Sequence, residues 1–247
     1  MIFFLGTHHP HWLARLDVPL FVSRRSLARL RTLPRARGEW ALDSGGFTEL
    51  SLHGRWAIGA RDYAGEVRRF RDEIGEIRFA SPMDWMTEDH LLRKTGLSVA
   101  EHQRRTVENL LELRSVAPDL PFIPVLQGWT EGQYMDCVDL YAAAGIDLWK
   151  EPLVGVGSIC RRQSTLRAHL MLRGLAHDGL KIHTFGLKKR GIRACGDVLA
   201  SADSLAWSLN ARRSPPLPGH AHASCANCLE WALLWRDELL ASLRAAA

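Results

Sequence analysis

The strongest constraint in this chain is a rhythm of short apolar runs alternating with longer amphipathic ones. Eight runs read as strands, at 2–5, 20–23, 40–43, 77–81, 122–126, 153–155, 181–185 and 204–207. Helical spacing fills 26–33, 61–73, 98–117, 131–144 and 162–177, and a long amphipathic stretch at 226–245 closes the chain. Within 61–73, Tyr63, Val67 and Phe70 fall on one face. Ser98 with Glu101 three residues on matches a capping box, and Gly145 and Gly179 stand where helices stop. Strands alternating with helices call for a parallel sheet. Eight such units in 247 residues match an α/β fold of the (β/α)8 TIM-barrel kind; the alternative is an open doubly wound sheet with fewer strands. The run Ser214-Pro215-Pro216-Leu217-Pro218-Gly219 reads as a rigid linker. The expected division is therefore a barrel at 1–213 and a Cys/His segment with a C-terminal helix at 214–247.

Composition narrows the class. The 47% apolar and 24% charged fractions are those of a globular protein and exclude a disordered or collagen-like chain. No run of 18 apolar residues occurs, so no membrane span is expected. The opening MIFFLG lacks a basic flank and reads as a first strand, not a signal peptide. The net charge is +5, with Arg supplying 27 of the 32 basic residues. Arg favours planar contacts to phosphates and bases, although genome composition produces the same bias. Five cysteines, three of them scattered, do not form a disulfide framework and suit a reducing, cytoplasmic setting.

In a βα-barrel the chemistry sits at the C-terminal ends of the strands. Reading onward from each apolar run gives Asp43-Ser44-Gly45-Gly46-Phe47, then Ser81-Pro82-Met83-Asp84, Gln127-Gly128-Trp129, Gly155-Val156-Gly157-Ser158, His183-Thr184-Phe185-Gly186 and Ala202-Asp203-Ser204. Each has a plain structural role open to it. Asp43 and Asp84 can cap turns, Asp203 can cap a short helix, and Gly155 and Gly157 can be steric necessities. Together they place three carboxylates and an amide at one mouth. Two carboxylates suit glycosidic chemistry, one attacking the anomeric carbon and one handling the leaving group's proton. A third beside an amide suits the hydrogen-bonding edge of a purine.

Asp43-Ser44-Gly45-Gly46-Phe47 with Leu50-Ser51-Leu52, Val125-Leu126-Gln127-Gly128, Val154-Gly155-Val156-Gly157 and Ala202-Asp203 resemble, in order, the motifs of the queuine/archaeosine tRNA-guanine transglycosylases. The chain is shorter than those enzymes, lacks their CxCxxC metal pattern and differs around Met83-Asp84-Trp85. In this it is closer to the related DpdA-like transglycosylases of deazapurine DNA modification. The resemblance implies exchange of guanine in DNA for a 7-deazaguanine such as preQ0. Asp203 would be the nucleophile at C1′ and Asp43 the general acid/base. Asp84 would read the N1/2-amino edge, and Gln127 with the Gly155 backbone would read O6. Ser44, Gly45, Gly128, Val156, Gly157, His183 and Phe185 would complete the base site. Phe47 or Trp129 could stack on the base, with core packing the favoured role for Phe47. The target base must leave the duplex, with an accessory protein as a possible partner. Alternatives are the same exchange on tRNA, a non-catalytic deazapurine or nucleic-acid binder, and a nucleoside hydrolase.

Two further features carry expectations. His220, His222, Cys225 and Cys228 offer four donors within nine residues, the donor mixture of a closed structural zinc site. Such a site would tie the last helix to the rim near Asp203 through Asn227 and Trp231. Lys188, Lys189, Arg190, Arg212 and Arg213 follow the last two strands and could hold phosphates beside the flipped nucleotide. The Arg24–Arg37 group reads at least as well as a solvated face, and His8-His9-Pro10-His11 as rim histidines.

Overall fold

The computed structural model describes residues 1–245. Its strands are β1 (Ile2–Thr7), β2 (Leu20–Ser23), β3 (Trp40–Asp43), β4 (Ile77–Ala80), β5 (Val125–Leu126), β6 (Val154–Val156), β7 (Ile182–Thr184) and β8 (Ser201–Ser204). They form one parallel sheet in the order β4-β3-β2-β1-β8-β7-β6-β5. The sheet curls, because its two end strands come back to one another. Ala80 of β4 bridges Phe122, just ahead of β5, through Ala80 N–H to Pro121 O at 3.0 Å and Ile123 N–H to Ala80 O at 3.2 Å. The expected complete ring is thus a curled eight-stranded sheet with a narrow seam. Pro121 and Pro124 explain the seam: neither has an N–H to donate to a ladder. They also shorten the expected 122–126 strand to two residues.

The helices are α1 (Arg24–Leu27), α2 (Gly46–His53), α3 (Ala60–Ile74), α4 (Asp89–Thr95), α5 (Val99–Val116), α6 (Glu131–Ala143), α7 (Leu166–His177), α8 (Lys189–Cys195), α9 (Ala206–Arg212) and α10 (Leu229–Arg244). α3 buries the expected Tyr63, Val67 and Phe70 together with Ile74. Each such side chain removed from water contributes about 1.5–3 kcal/mol. Ser98 caps α5 by accepting from Glu101 N–H. The reciprocal half of that capping box is absent, because the Glu101 carboxylate pairs with Arg104 and Arg105. The full box occurs at α6, between Thr130 and Gln133.

Strand eight needs correction. It covers Ser201–Ser204, not 204–207, and Ala206 and Trp207 begin α9. Asp203 is therefore inside the strand, paired in register with Phe4 of β1. Inside the curl, Phe4, Phe21, Ala41, Phe79 and Ile123 form an apolar layer, with Phe185 packed against it. This layer closes the interior and leaves the C-terminal strand ends as a mouth.

No helix among the described residues is long and apolar enough to cross a membrane.

Candidate active site

A cavity of about 250 Å³ opens at that mouth. Its lining includes Asp43 from β3, Asp203 from β8, Asp84 and Glu88 from the segment after β4, and Gln127 after β5. Gly157 and Ser158 follow β6, and Phe185 follows β7. Asp84, Glu88, Gln127, Ser158 and Asp203 are all buried. No lysine, arginine or histidine lines the cavity among the described residues. The chamber is acidic and suits a ligand rich in N–H donors.

Asp84 is held on both sides. Ser44 Oγ donates to its Oδ1 at 3.2 Å and Gln127 Nε2 to its Oδ2 at 2.6 Å. Burial, with the Asp43 charge adding to it, pushes its carboxyl up to about 7 against these bonds. Asp43 is raised as well, chiefly by burial and further by Asp203, while Ser23 and the Gly45 N–H pull it down. Gly45, with φ +80°, occupies the left-handed region that glycine enters without penalty, and so turns the chain from β3 into α2. Asp203 accepts from Gly186 N–H at 2.9 Å. His183 lies below it, Nε2 3.4 Å from Asp203 Oδ1 but not aligned for a hydrogen bond.

Some expected base-site residues do not reach the cavity. His183 is fully buried among Phe4, Phe21, Phe79 and Phe185, with Nδ1 paired to Ser201 Oγ at 2.8 Å. Ser44, Gly45, Gly128, Gly155 and Val156 stand behind or beside the lining. The expected Gly155 contact to O6 is corrected: its N–H is spent on Pro124 O at 2.8 Å. A Cβ at Gly155 would lie 2.7 Å from the Phe185 ring, so this glycine makes room for the floor. Phe47 is not core. It is 39% exposed on the rim, with Arg161 5.7 Å from its ring centre. Trp129 sits away from the cavity under Arg162.

Gly157 admits no side chain, because a Cβ there would overlap the Gln127 amide. Gly157→Ala is expected to displace Gln127 and to destabilise the protein by about 1–3 kcal/mol, as overpacking does. A denaturant melt checks the energy, and an unchanged midpoint would mean that the amide moves freely.

Two residues escaped the sequence reading. Glu88 stands at the N-cap position of the short α4 without bonding to the helix through its side chain, and a helix that short has no periodic signal. Ser158 looks like an ordinary loop serine, yet it is the one described non-glycine residue with positive φ, at 52°, a conformation that concentrates at functional sites.

The basic groups divide. Lys189 pairs with Glu238 at 2.6 Å and lies over Trp235. Lys188, Arg190, Arg212 and Arg213 are exposed. Arg24 pairs with Glu66 and Glu49, and Arg25 with Glu49, so these two brace α1 against its neighbours.

His220, His222, Cys225 and Cys228 bring one donor atom each to within 4.8 Å of one another. His220 Nδ1 is 3.2 Å from His222 Nε2, His222 Nε2 3.0 Å from Cys225 Sγ and His220 Nδ1 3.7 Å from Cys228 Sγ. Tetrahedral zinc with ordinary bond lengths needs donor separations of about 3.3–3.8 Å. The separations here bracket that range, so the four donors can hold a metal ion with small adjustments. Glu230 takes the other His220 nitrogen at 3.1 Å, the outer contact that fixes a ligating imidazole. Asn227, between the two cysteines, bonds His8 at the end of β1 at 2.8 Å, and Ser208 of α9 bonds Ala226 O at 2.8 Å. The segment thus clamps α9, directly after Asp203, to the rim.

Fold and site together define an α/β protein with a carboxylate-lined pocket at the C-terminal ends of parallel strands, the position from which such folds do chemistry. The chain belongs to the DpdA family, DeoxyPurine in DNA protein A, whose family model matches residues 1–246. Membership associates it with deazapurine modification of DNA and with transglycosylase-type enzymes. A search of curated proteins found no match.

Proposed function

We propose that this chain exchanges guanine in DNA for a 7-deazaguanine base of the preQ0 kind. The observation that carries this reading is the delivery of Asp43 from β3, Asp203 from β8 and Asp84 from the segment after β4 into one small acidic chamber beside Gln127. At about 250 Å³ the chamber falls below the ~300–1,000 Å³ of drug-sized sites, which suits one flat heterocycle.

In this mechanism the target nucleotide flips out of the duplex and its base seats against Asp84 and Gln127. Asp203 attacks C1′ as the C1′–N9 bond breaks, forming an aspartyl ester. Asp43, whose raised proton affinity suits the task, protonates the departing guanine. It then takes the N9 proton from the incoming base, N9 attacks C1′ and the ester bond breaks. Two displacements give retention at C1′. Phe185 supports the base from the floor, while Ser44, Gly45, Gly128, Gly155, Val156 and His183 shape the walls from behind. Lys188, Arg190, Arg212 and Arg213, being exposed, are the groups left for phosphates. We read the curled sheet as a (β/α)8 barrel over residues 1–213 with the metal segment at 214–247.

We read the metal as zinc. Four protein ligands leave no open position, so its role is structural. Metal analysis should find about one zinc per chain. Cys228→Ser should lower the melting temperature by about 5 °C or more as the clamp on α9 loosens. A folded protein with no metal and an unchanged melt would remove the assignment.

The test of function offers labelled 7-deazaguanine base with duplex DNA, single-stranded DNA and bulk tRNA in parallel. Label is expected in DNA. Label confined to tRNA would overturn the DNA reading, and free guanine released without any uptake would indicate a hydrolase.

A further inference from the structure

The acidic chamber contains a chain of hydrogen bonds that the exchange reaction does not itself require. Gln127 Nε2 donates to Asp84 Oδ2 at 2.6 Å. Gln127 Oε1 accepts from Ser158 Oγ at 2.7 Å. Ser158 Oγ accepts from Thr87 N–H at 2.8 Å and also lies 3.0 Å from Glu88 Oε2. A serine hydroxyl has one proton. It can go to Gln127 or to Glu88, not to both.

The direction of that proton decides what the pocket offers. With Ser158 donating to Gln127 Oε1, the amide keeps Nε2 toward Asp84, and its second N–H remains for an oxo group beside the edge that Asp84 reads. With the amide reversed, Oε1 would face the ligand and accept from an amine instead. The two glycine N–H groups just ahead of Ser158 do not compensate. The Gly155 N–H is spent on Pro124 O and the Gly157 N–H on Leu126 O, at 2.8 and 2.9 Å. Position 6 of a bound purine then falls to Gln127, whose amide is oriented by Ser158 at Oε1 and by Asp84 at Nε2. Ser158, with its backbone in the left-handed region, places its hydroxyl within reach of Gln127, Glu88 and the Thr87 N–H at once.

We propose that Ser158 is a specificity-determining positioning residue: by holding Gln127 Oε1 it makes the pocket select a 6-oxo over a 6-amino purine edge, with Glu88 as the competing acceptor. This rests on the base-binding reading above and adds the residue that sets its selectivity.

The test measures binding of two free bases by calorimetry, a 7-deazaguanine and its 2,6-diamino counterpart, to the whole chain. The unsubstituted protein is expected to prefer the 6-oxo base. Ser158→Ala should reduce that preference about tenfold, the worth of one buried hydrogen bond. Ser158→Gly removes the same hydroxyl while relaxing the backbone, and serves if the alanine variant does not fold. Glu88→Gln should act in the opposite direction. Its amide can donate to Ser158 Oγ, which commits the hydroxyl to Gln127 and raises the preference. A residue of only structural importance would not give opposite shifts in a ratio. An unchanged ratio in folded Ser158→Ala and Ser158→Gly overturns the inference and leaves the base site standing. Binding of neither base to the unsubstituted protein overturns both.

Discussion

Asp203→Ala is expected to abolish base exchange, by about 10⁴-fold or more, as removal of a covalent nucleophile does. Asp203 is the carboxylate that the strand itself aims: it is paired in register within β8 and steadied by the Gly186 N–H. Alanine would leave that part-buried N–H without its carboxylate partner, at a cost of about 1 kcal/mol. Loss of activity with alanine alone could then be blamed on a disturbed rim. Asp203→Asn keeps an oxygen for Gly186 and cannot form the ester, so it isolates the chemistry. Label uptake reads the rate, and a denaturing gel reads the trapped protein–DNA adduct. The Asn variant should give neither, with its melt near that of the unsubstituted protein. Exchange at an undiminished rate in Asp203→Asn would remove the nucleophile assignment, and attention would pass to Asp43.

Much of this architecture was legible because its cause is periodic. Strands such as Leu20–Ser23 and Trp40–Asp43 are apolar runs with clean ends, and α3 and α5 are long enough to show a buried stripe. Strand eight was misplaced for a reason tied to function. Ser201, Asp203 and Ser204 are all buried, so β8 lacks an apolar run, and the apolar Ala206-Trp207 drew the expectation forward into a helix. The short helices α2, α4, α8 and α9, of seven or eight residues, hold barely two turns and give periodicity nothing to act on.

The site divides in the same way. Asp43, Asp84, Gln127 and Asp203 are recognisable because each polar residue follows or interrupts an apolar segment. The roles of neighbouring residues depend on contacts that no spacing encodes. Gly155 looks like a backbone donor until the ladder is seen to use its N–H. Phe47 looks like core until α2 is seen to carry it onto the rim. Glu88 joins the site because the segment after β4 carries it into the cavity wall, where Ser158, 70 positions later, meets it.

Asp84 gives the other large effect, and its sign runs two ways. Its carboxyl is raised from the ordinary 3.8 to about 7, first by burial and then by Asp43. In the unfolded chain it ionises near its ordinary value, whereas the folded protein keeps its proton to about 7. Between those limits the folded state binds more protons, so its stability falls as pH rises through the window. A shift from 3.8 to about 7, at 1.36 kcal/mol for each unit, corresponds to about 4 kcal/mol. Asp84→Asn carries no charge at any pH and should lose this slope, becoming the more stable protein at pH 8 while differing little at pH 4. Base affinity has the opposite dependence. The N1–H and 2-amino edge needs an ionised acceptor, so affinity should be flat above about pH 7 and fall about tenfold for each unit below it. Melts across pH 4–8 and calorimetry across the same range read the two slopes separately. Identical stability slopes for Asp84→Asn and the unsubstituted protein would show that the burial of this carboxylate is not what the acidic chamber costs the fold. A flat affinity profile would show that another group reads the base edge.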